Sequence, residues 1–482
     1  MQMNIFILLV LALFTSVAKS ADSDGKEFVF TFMTYQDTFG VISANAIVIP
    51  TSKDSICTFK YTRFSDNQTV SIQKTAIYGK TNEIILDTKE VLFVPNYVEK
   101  EIKDFAATDF RIFVSCTEEV KLIARLNDPF YGLGDLYLIH STANAGKKYT
   151  FSIPTIQRDG IKGFAAIMPL TFEKSITVTT IVYVNGIIYS NETIQYDTKF
   201  GEEQHYISLY PQINMSSYNT SISISATSNF LVSFMSPDAT TGDGDCRGRF
   251  GLDCDDDITT AMMMPLVEKD CNARLSRPDQ RMISNDFTTR VYISPPAVSD
   301  DCDELFAMTY FDQANNVDGF QEIITPIGSS TIELDGRLDI FSSTSSGVMP
   351  VYRFGSIHEG GDITYALGHF IHYIPSIDEW VTGKTQFFTL AKGCSIELYA
   401  DVIGSDLNLV KLDGKALSTF AYTSTYLNYF NKRYGHFIVP VGGYGLHTIE
   451  NGGRYVMYVI CTAVNSPYDG QGYLTGFSKR RS

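Results

Sequence analysis

The chain has 482 residues, 44% of them hydrophobic, and its aromatics are Tyr and Phe around a single Trp. A net charge of -16, from 54 acidic against 38 basic side chains, repels phosphate backbones and anionic lipid surfaces and argues against a nucleic-acid partner. Thr, Ser, Ile and Val are frequent throughout, a composition suited to pleated, half-buried surfaces.

Residues 1–20 carry an apolar run from Ile5 to Phe14 and then Ala18-Lys19-Ser20. This pattern predicts a secretory signal peptide removed before Ala21. The run is shorter than the ~20 apolar residues of a spanning helix, so the expectation is a secreted, extracellular chain without a membrane span. From Phe28 the sequence alternates at strand period: Phe28 to Tyr35, Ile42 to Ile49, Cys57 to Tyr61. Further on, Asn185-Gly186 stands between two β-branched runs, a strong hairpin signal because both residues tolerate positive φ. Asp335-Gly336 and Asp413-Gly414 mark further turns. No window shows helical apolar spacing over three turns.

One stretch organises the rest. Ile112-Phe-Val-Ser-Cys-Thr-Glu-Glu-Val-Lys-Leu122 has counterparts starting at Ile222, Ile340 and Ile449, which are 110, 118 and 109 residues apart. Each reads as an alternating strand, a small polar turn and an apolar strand, and Gly134-Asp135, Gly361-Asp362 and Asp469-Gly470 follow three of them. Fixed-period self-similarity predicts an all-β fold of tandem antiparallel modules of about 110 residues, sandwich-like, with a closed propeller of two blades per repeat as the alternative. The expected borders are 21–154, 155–270, 271–385 and 386–482.

Eight cysteines follow the expected cleavage site, an even number that predicts disulfides in a secreted chain. Pairing of neighbours within modules is expected: Cys57 with Cys116, Cys246 with Cys254, Cys271 with Cys302, Cys394 with Cys461. Sequons at Asn67, Asn191, Asn214 and Asn219 predict exposed glycosylated loops.

Gly134-Asp-Leu-Tyr-Leu-Ile139 followed by Ala145-Gly-Lys-Lys-Tyr149, and Ile374-Pro375 followed by Trp380, resemble the N-terminal domain of IgGFc-binding protein. Further matching places are Phe28 to Tyr35, Ser225 to Phe234, and Leu412-Asp-Gly414 through His447-Thr-Ile449 to Tyr468-Asp-Gly470. The chain has none of the von Willebrand type D modules that large members carry. The resemblance implies an extracellular, mucus- or matrix-associated interaction protein.

Three constellations bear on chemistry. His358-Glu359-Gly360-Gly361-Asp362, with His369 and His372 beyond, lacks a second His one helical turn away, and its glycines break a helix, so a strand-joining loop is expected rather than a zinc site. Asp243, Asp245, Asp253, Asp255, Asp256 and Asp257 offer oxygens suited to calcium, but without the helix-loop-helix spacing they read as a solvated loop. No Gly-x-Ser-x-Gly elbow occurs, and Gly442-Gly443-Tyr444-Gly445 reads as a turn. The sequence therefore assigns no catalytic residue, metal ligand or cofactor. It predicts a glycosylated, disulfide-stabilised binding protein for extracellular glycoproteins, mucins or matrix proteins, against the alternatives of a self-associating coat component and a secreted hydrolase.

Overall fold

The computed structural model describes residues 21–34, 42–95, 101–156, 162–170, 175–210, 219–241, 257–312, 317–334, 339–359, 362–429 and 431–480. The expected signal peptide, Cys246, Cys254, Asn214, Asp335-Gly336 and every aspartate of the acidic loop except Asp257 lie outside these residues. The chain is all-β, with helix confined to a few single turns among the described residues.

One seven-strand pattern is built four times around a long central strand. In the first module the central strand is Ile112–Asp128. Its N-terminal half pairs with Gly25–Phe30 on one side and with Ser55–Thr62 on the other, the latter continuing into a hairpin with Thr69–Ala76. Its C-terminal half pairs with Ser43–Pro50 and Leu133–Ile139, and Glu83–Leu86 closes the outer edge against Ser43–Pro50. Two four-stranded sheets thus share one strand. The second and fourth modules repeat this around Thr220–Thr240 and Gly445–Thr462. In the third, the central strand breaks into Asp339–Thr344 and Val351–Glu359, and the sheets separate.

The residues expected to turn, such as Thr117-Glu118-Glu119, instead lie within a continuous strand in modules one, two and four. They are polar because the strand passes there from one sheet to the next, leaving side chains open to water. Only Ser345 to Pro350 interrupts the strand, where Pro350 lacks an N–H for the ladder. The expected border at 154 is also displaced. Gly146–Ile153 is the first strand of the second module: it pairs with Thr220–Thr240 and buries Tyr149 and Phe151 in that module's core. The border at 385 likewise cuts Val381–Thr389, the first strand of module four.

Within each module the two sheets enclose an apolar core, and the sheet nearer the centre is buried on both faces. Its second strand shows this by alternation. Ala165 and Ile167 face their own core, while Phe164, Ala166 and Met168 join the core of module one. In the same way Ile47 and Ile49 pack into module four, Tyr292 into module two and Tyr399 onto module three. Each module therefore leans on its predecessor and the first leans on the last. Such a head-to-tail contact closes into a ring.

The final strands, Leu133–Ile139, Asp257–Met262, Asp362–Tyr373 and Gly470–Leu474, pack in that order around the centre. Approach is close enough that a Cβ on Gly368, which has φ +76°, would stand 2.5 Å from the Gly470 amide nitrogen. The two ends of the described chain meet: the Ser23 amide donates to the Phe477 carbonyl at 3.1 Å and the Lys479 amide to Asp22 at 2.6 Å. Bridges Cys57–Cys116 and Cys394–Cys461 tie directly opposite strand partners, and Cys271–Cys302 ties the connector before module three to a loop inside it.

The Asn185-Gly186 hairpin has both residues at positive φ, 50° and 76°, and so does Asp413-Gly414 at 49° and 78°. Asn185→Val puts a β-branched side chain into the left-handed region, which costs about 1–2 kcal/mol. The expected result is a lower denaturation midpoint by that amount; an unchanged midpoint would contradict this account of the turn.

Candidate functional site

The first place to look is the centre of the ring. Asp135, Asp257 and Asp469 are buried at or just before the starts of three final strands. Asp257 Oδ2 accepts from the His369 amide at 3.1 Å and the Gly470 amide at 2.9 Å, joining modules two, three and four. Asp135 Oδ2 accepts from the Thr260 amide, joining one to two. Asp469 accepts from the Asn465 amide at 2.9 Å and from Gln471 Nε2 at 3.0 Å. Burial pushes all three carboxyls up, Asp469 to about 7, and Asp257 is raised further by the neighbouring Asp469 and Asp135 charges. Their oxygens are directed at protein N–H groups, so the cluster fastens the ring. Asp257, grouped with the acidic loop on sequence, belongs here instead.

The histidine string does not assemble. His358 Nε2 lies 2.9 Å from the Asn285 carbonyl, His369 Nδ1 pairs with Ser356 Oγ at 2.9 Å, and His372 Nδ1 accepts from Arg353. His369 and His372 are buried on a strand, each stacked on a different phenylalanine. Among the described residues, the one group of ligand-type atoms close enough for a metal is Cys271, Cys302 and Glu304, and those two sulfurs are bonded to each other.

The surface offers a different kind of site. Between modules two and three runs a groove of about 670 Å³. Its floor is polar: Thr155 and Ser221 come from module two, and Arg290, Tyr292, Ser330 and Glu333 from module three. Arg290 spans the junction, with Nη1 donating to Thr155 Oγ1 and Nη2 to the Thr241 carbonyl, both at 2.9 Å, while Nε lies 3.4 Å from Glu333. Burial holds the Tyr292 phenol up at about 12, a neutral hydroxyl at any physiological pH. The Asn185-Gly186 turn forms one lip, held by the Asn219 amide on Asn185 Oδ1 at 3.1 Å.

Exposed apolar side chains lie close in sequence to the lining residues. Ile187, Ile188 and Tyr189 follow the turn directly, and Phe320, Ile323 and Ile327 stand on or beside the segment that forms the opposite wall. Ile187 is 73% exposed, Ile323 64% and Phe320 55%. Of these, Ile327 lines the groove itself, whereas Ile323 follows the lining residue Glu322 on one strand and so points to the opposite face. The sequence shows the Asn-Gly turn and the hydroxyl run Ser329-Ser330-Thr331, but nothing in it places one opposite the other.

The sequons at Asn67, Asn191 and Asn219 are exposed; Asn67 sits at φ 56° in a hairpin turn and Asn191 midway along the outer edge strand Ile187–Tyr196. No known family model matches the chain, and no curated protein matches it.

Proposed function

We propose that the chain is a secreted extracellular protein, glycosylated at sequons away from the groove such as Asn67 and Asn191, that binds glycoproteins, mucins or matrix components through the groove between modules two and three. The observation that carries this reading is a groove between two modules of a closed ring whose floor presents hydroxyl, amide and charged groups. Fixed polar groups select orientation, and a rigid ring limits the entropy lost on contact. Three disulfides suit an oxidising compartment. The resemblance to the IgGFc-binding N-terminal region points the same way. The floor presents one arginine and two glutamates, Glu322 and Glu333, beside its hydroxyls, groups able to hydrogen-bond a polar ligand.

Self-association through sheet edges is the rival reading. Its best template is Ile187–Tyr196, and there Asn191 would carry a glycan at mid-strand, a bulky block to edge pairing. The test is to secrete the chain from residue 21 and screen it against mucins, matrix proteins and a glycan panel. Ile327→Asp with Thr331→Arg, both lining the groove and neither of them buried, is expected to weaken the best binder at least tenfold without moving the unfolding midpoint. Binding indifferent to these changes would remove the groove from the account, and assembly into large species without any binder would favour the rival.

A further inference from the structure

A second cavity lies on the face of the ring where the modules are joined. Each module ends on its final strand and hands over to the next, so the three connectors and the C-terminal tail (residues 140–145, 263–278, 374–380 and 475–480) converge on one side. They enclose a cleft of about 690 Å³. Its floor is apolar, formed by Met264, Leu266, Val348, Pro350 and Phe477. Its mouth is cationic.

The cations differ in what they are free to do. Lys479 Nζ donates to the Ala143 carbonyl at 2.9 Å and Arg480 Nη1 pairs with Asp279 at 2.9 Å, so both are held by the ring. Arg274 and Arg277 are exposed, and among the described residues neither guanidinium has an ion-pair or hydrogen-bond partner. The one acid in the wall, Glu379, has its oxygens taken by the Tyr373 hydroxyl at 3.0 Å and the Ser376 amide at 2.6 Å. On a chain of net charge -16 this mouth is a local reversal of sign.

We propose that this cleft binds a small anionic amphiphile, a molecule with one carboxylate or sulfonate head that Arg274 and Arg277 receive and an apolar body that lies on the floor. The volume falls within the ~300–1,000 Å³ range of small-ligand sites. Two free guanidiniums match one head group, since planar N–H forks suit a carboxylate or sulfonate. A long polyanion would want a stripe of such cations, and a cationic ligand would meet the mouth with like charge. This inference stands independently of the groove between modules two and three, which shares no lining residue with the cleft.

The experiment titrates the secreted full chain with anilinonaphthalene sulfonate, read by fluorescence, and competes it with decanoate and, separately, with decyltrimethylammonium. The expected result is saturable one-site binding, displaced by decanoate and not by the cationic amphiphile. Arg274→Glu with Arg277→Glu should weaken it at least tenfold at low salt. Leu266→Trp, a half-buried position, should fill the floor and reduce the number of sites. The unfolding transition of each variant shows that loss of binding is not loss of fold. Non-saturable binding, equal displacement by both amphiphiles, indifference to the charge reversal, or binding of an acidic peptide in place of decanoate would each overturn the proposal.

Discussion

Arg353→Met is expected to lower the free energy of unfolding by about 3–5 kcal/mol, because it strips the counter-charge from a carboxylate that has no access to water. Arg353 lies on the second half of module three's central strand and Glu397 on the second strand of module four; both are fully buried. The guanidinium donates through Nη1 to Glu397 Oε2, and through Nε and Nη2 to His372 Nδ1 at 3.2 and 3.0 Å. It also lies 3.9 Å from the centre of the Tyr458 ring. Glu397 Oε1 receives the Tyr399 hydroxyl at 2.8 Å and lies 3.2 Å from His436 Nε2. Burial alone pushes the Glu397 carboxyl up, but Arg353 and His436 more than reverse this and hold it at about 2.

The sign follows from that depression. With a folded pKa below the ordinary value, the pair contributes stability that is fully present above about pH 4.5 and is lost as pH falls toward 2. Remove Arg353 and the contribution vanishes at neutral pH as well. Arg353→Met with Glu397→Gln should recover at least half the loss, since a neutral amide needs no counter-charge. Trp380, in contact with Tyr434 where modules three and four meet, gives the fluorescence signal for urea unfolding. A single-variant loss under 1 kcal/mol, or a double variant no better than the single, would refute the account.

Much of the architecture was legible because the repeat rests on local pattern. Ile112, Ile222, Ile340 and Ile449 all lie on central strands, and the Asn185-Gly186 and Asp413-Gly414 turns form where both residues must take positive φ. What was illegible depends on partners distant in sequence. Gly146–Ile153 reads as the end of one unit because its alternation is the same whichever sheet it joins, and its partner lies some seventy residues on. Phe164–Pro169 is apolar at every position, which signals burial on both faces without naming the neighbour that covers the second. The candidate groove is harder still. Its lips sit on different modules, and only packing between modules sets Gly186 opposite Glu322. Asp135 and Asp469 recur at matching places in the sequence, but the backbone amides that these aspartates and Asp257 receive come from other modules or loops and leave no side-chain signal.

Those aspartates carry the last expectation: Asp469→Asn should stabilise the protein at pH 8 and lose that advantage in mild acid. Asp469 is buried beside Asp257 and faces Arg125, Asn465 and Gln471, with Asp135 and Asp257 contributing further negative charge to the centre. Burial raises its carboxyl from 3.8 to about 7. A folded pKa above the unfolded one means that the folded chain holds the proton more tightly. Its contribution is therefore fully present below about pH 4 and is lost as pH rises through 7, a change on the order of 3–4 kcal/mol. Other groups slope differently over the same range. His140, held near 4 by burial, penalises the fold below about 6.5, and Lys162, lowered to about 7, penalises it less as pH rises from 7 toward 10. The difference between native chain and variant removes both, because each is common to the two. Asparagine keeps one acceptor for the Asn465 amide and needs no proton, so the variant's advantage should grow from about pH 4 to about pH 7 and level off above that. Parallel stability profiles for the two proteins would mean that Asp469 does not change its protonation on folding. As Asp469 gives up its proton near neutral pH, a negative charge enters the buried centre beside Asp135 and Asp257, and the backbone amides of His369, Gly470 and Thr260 are what hold the ring closed.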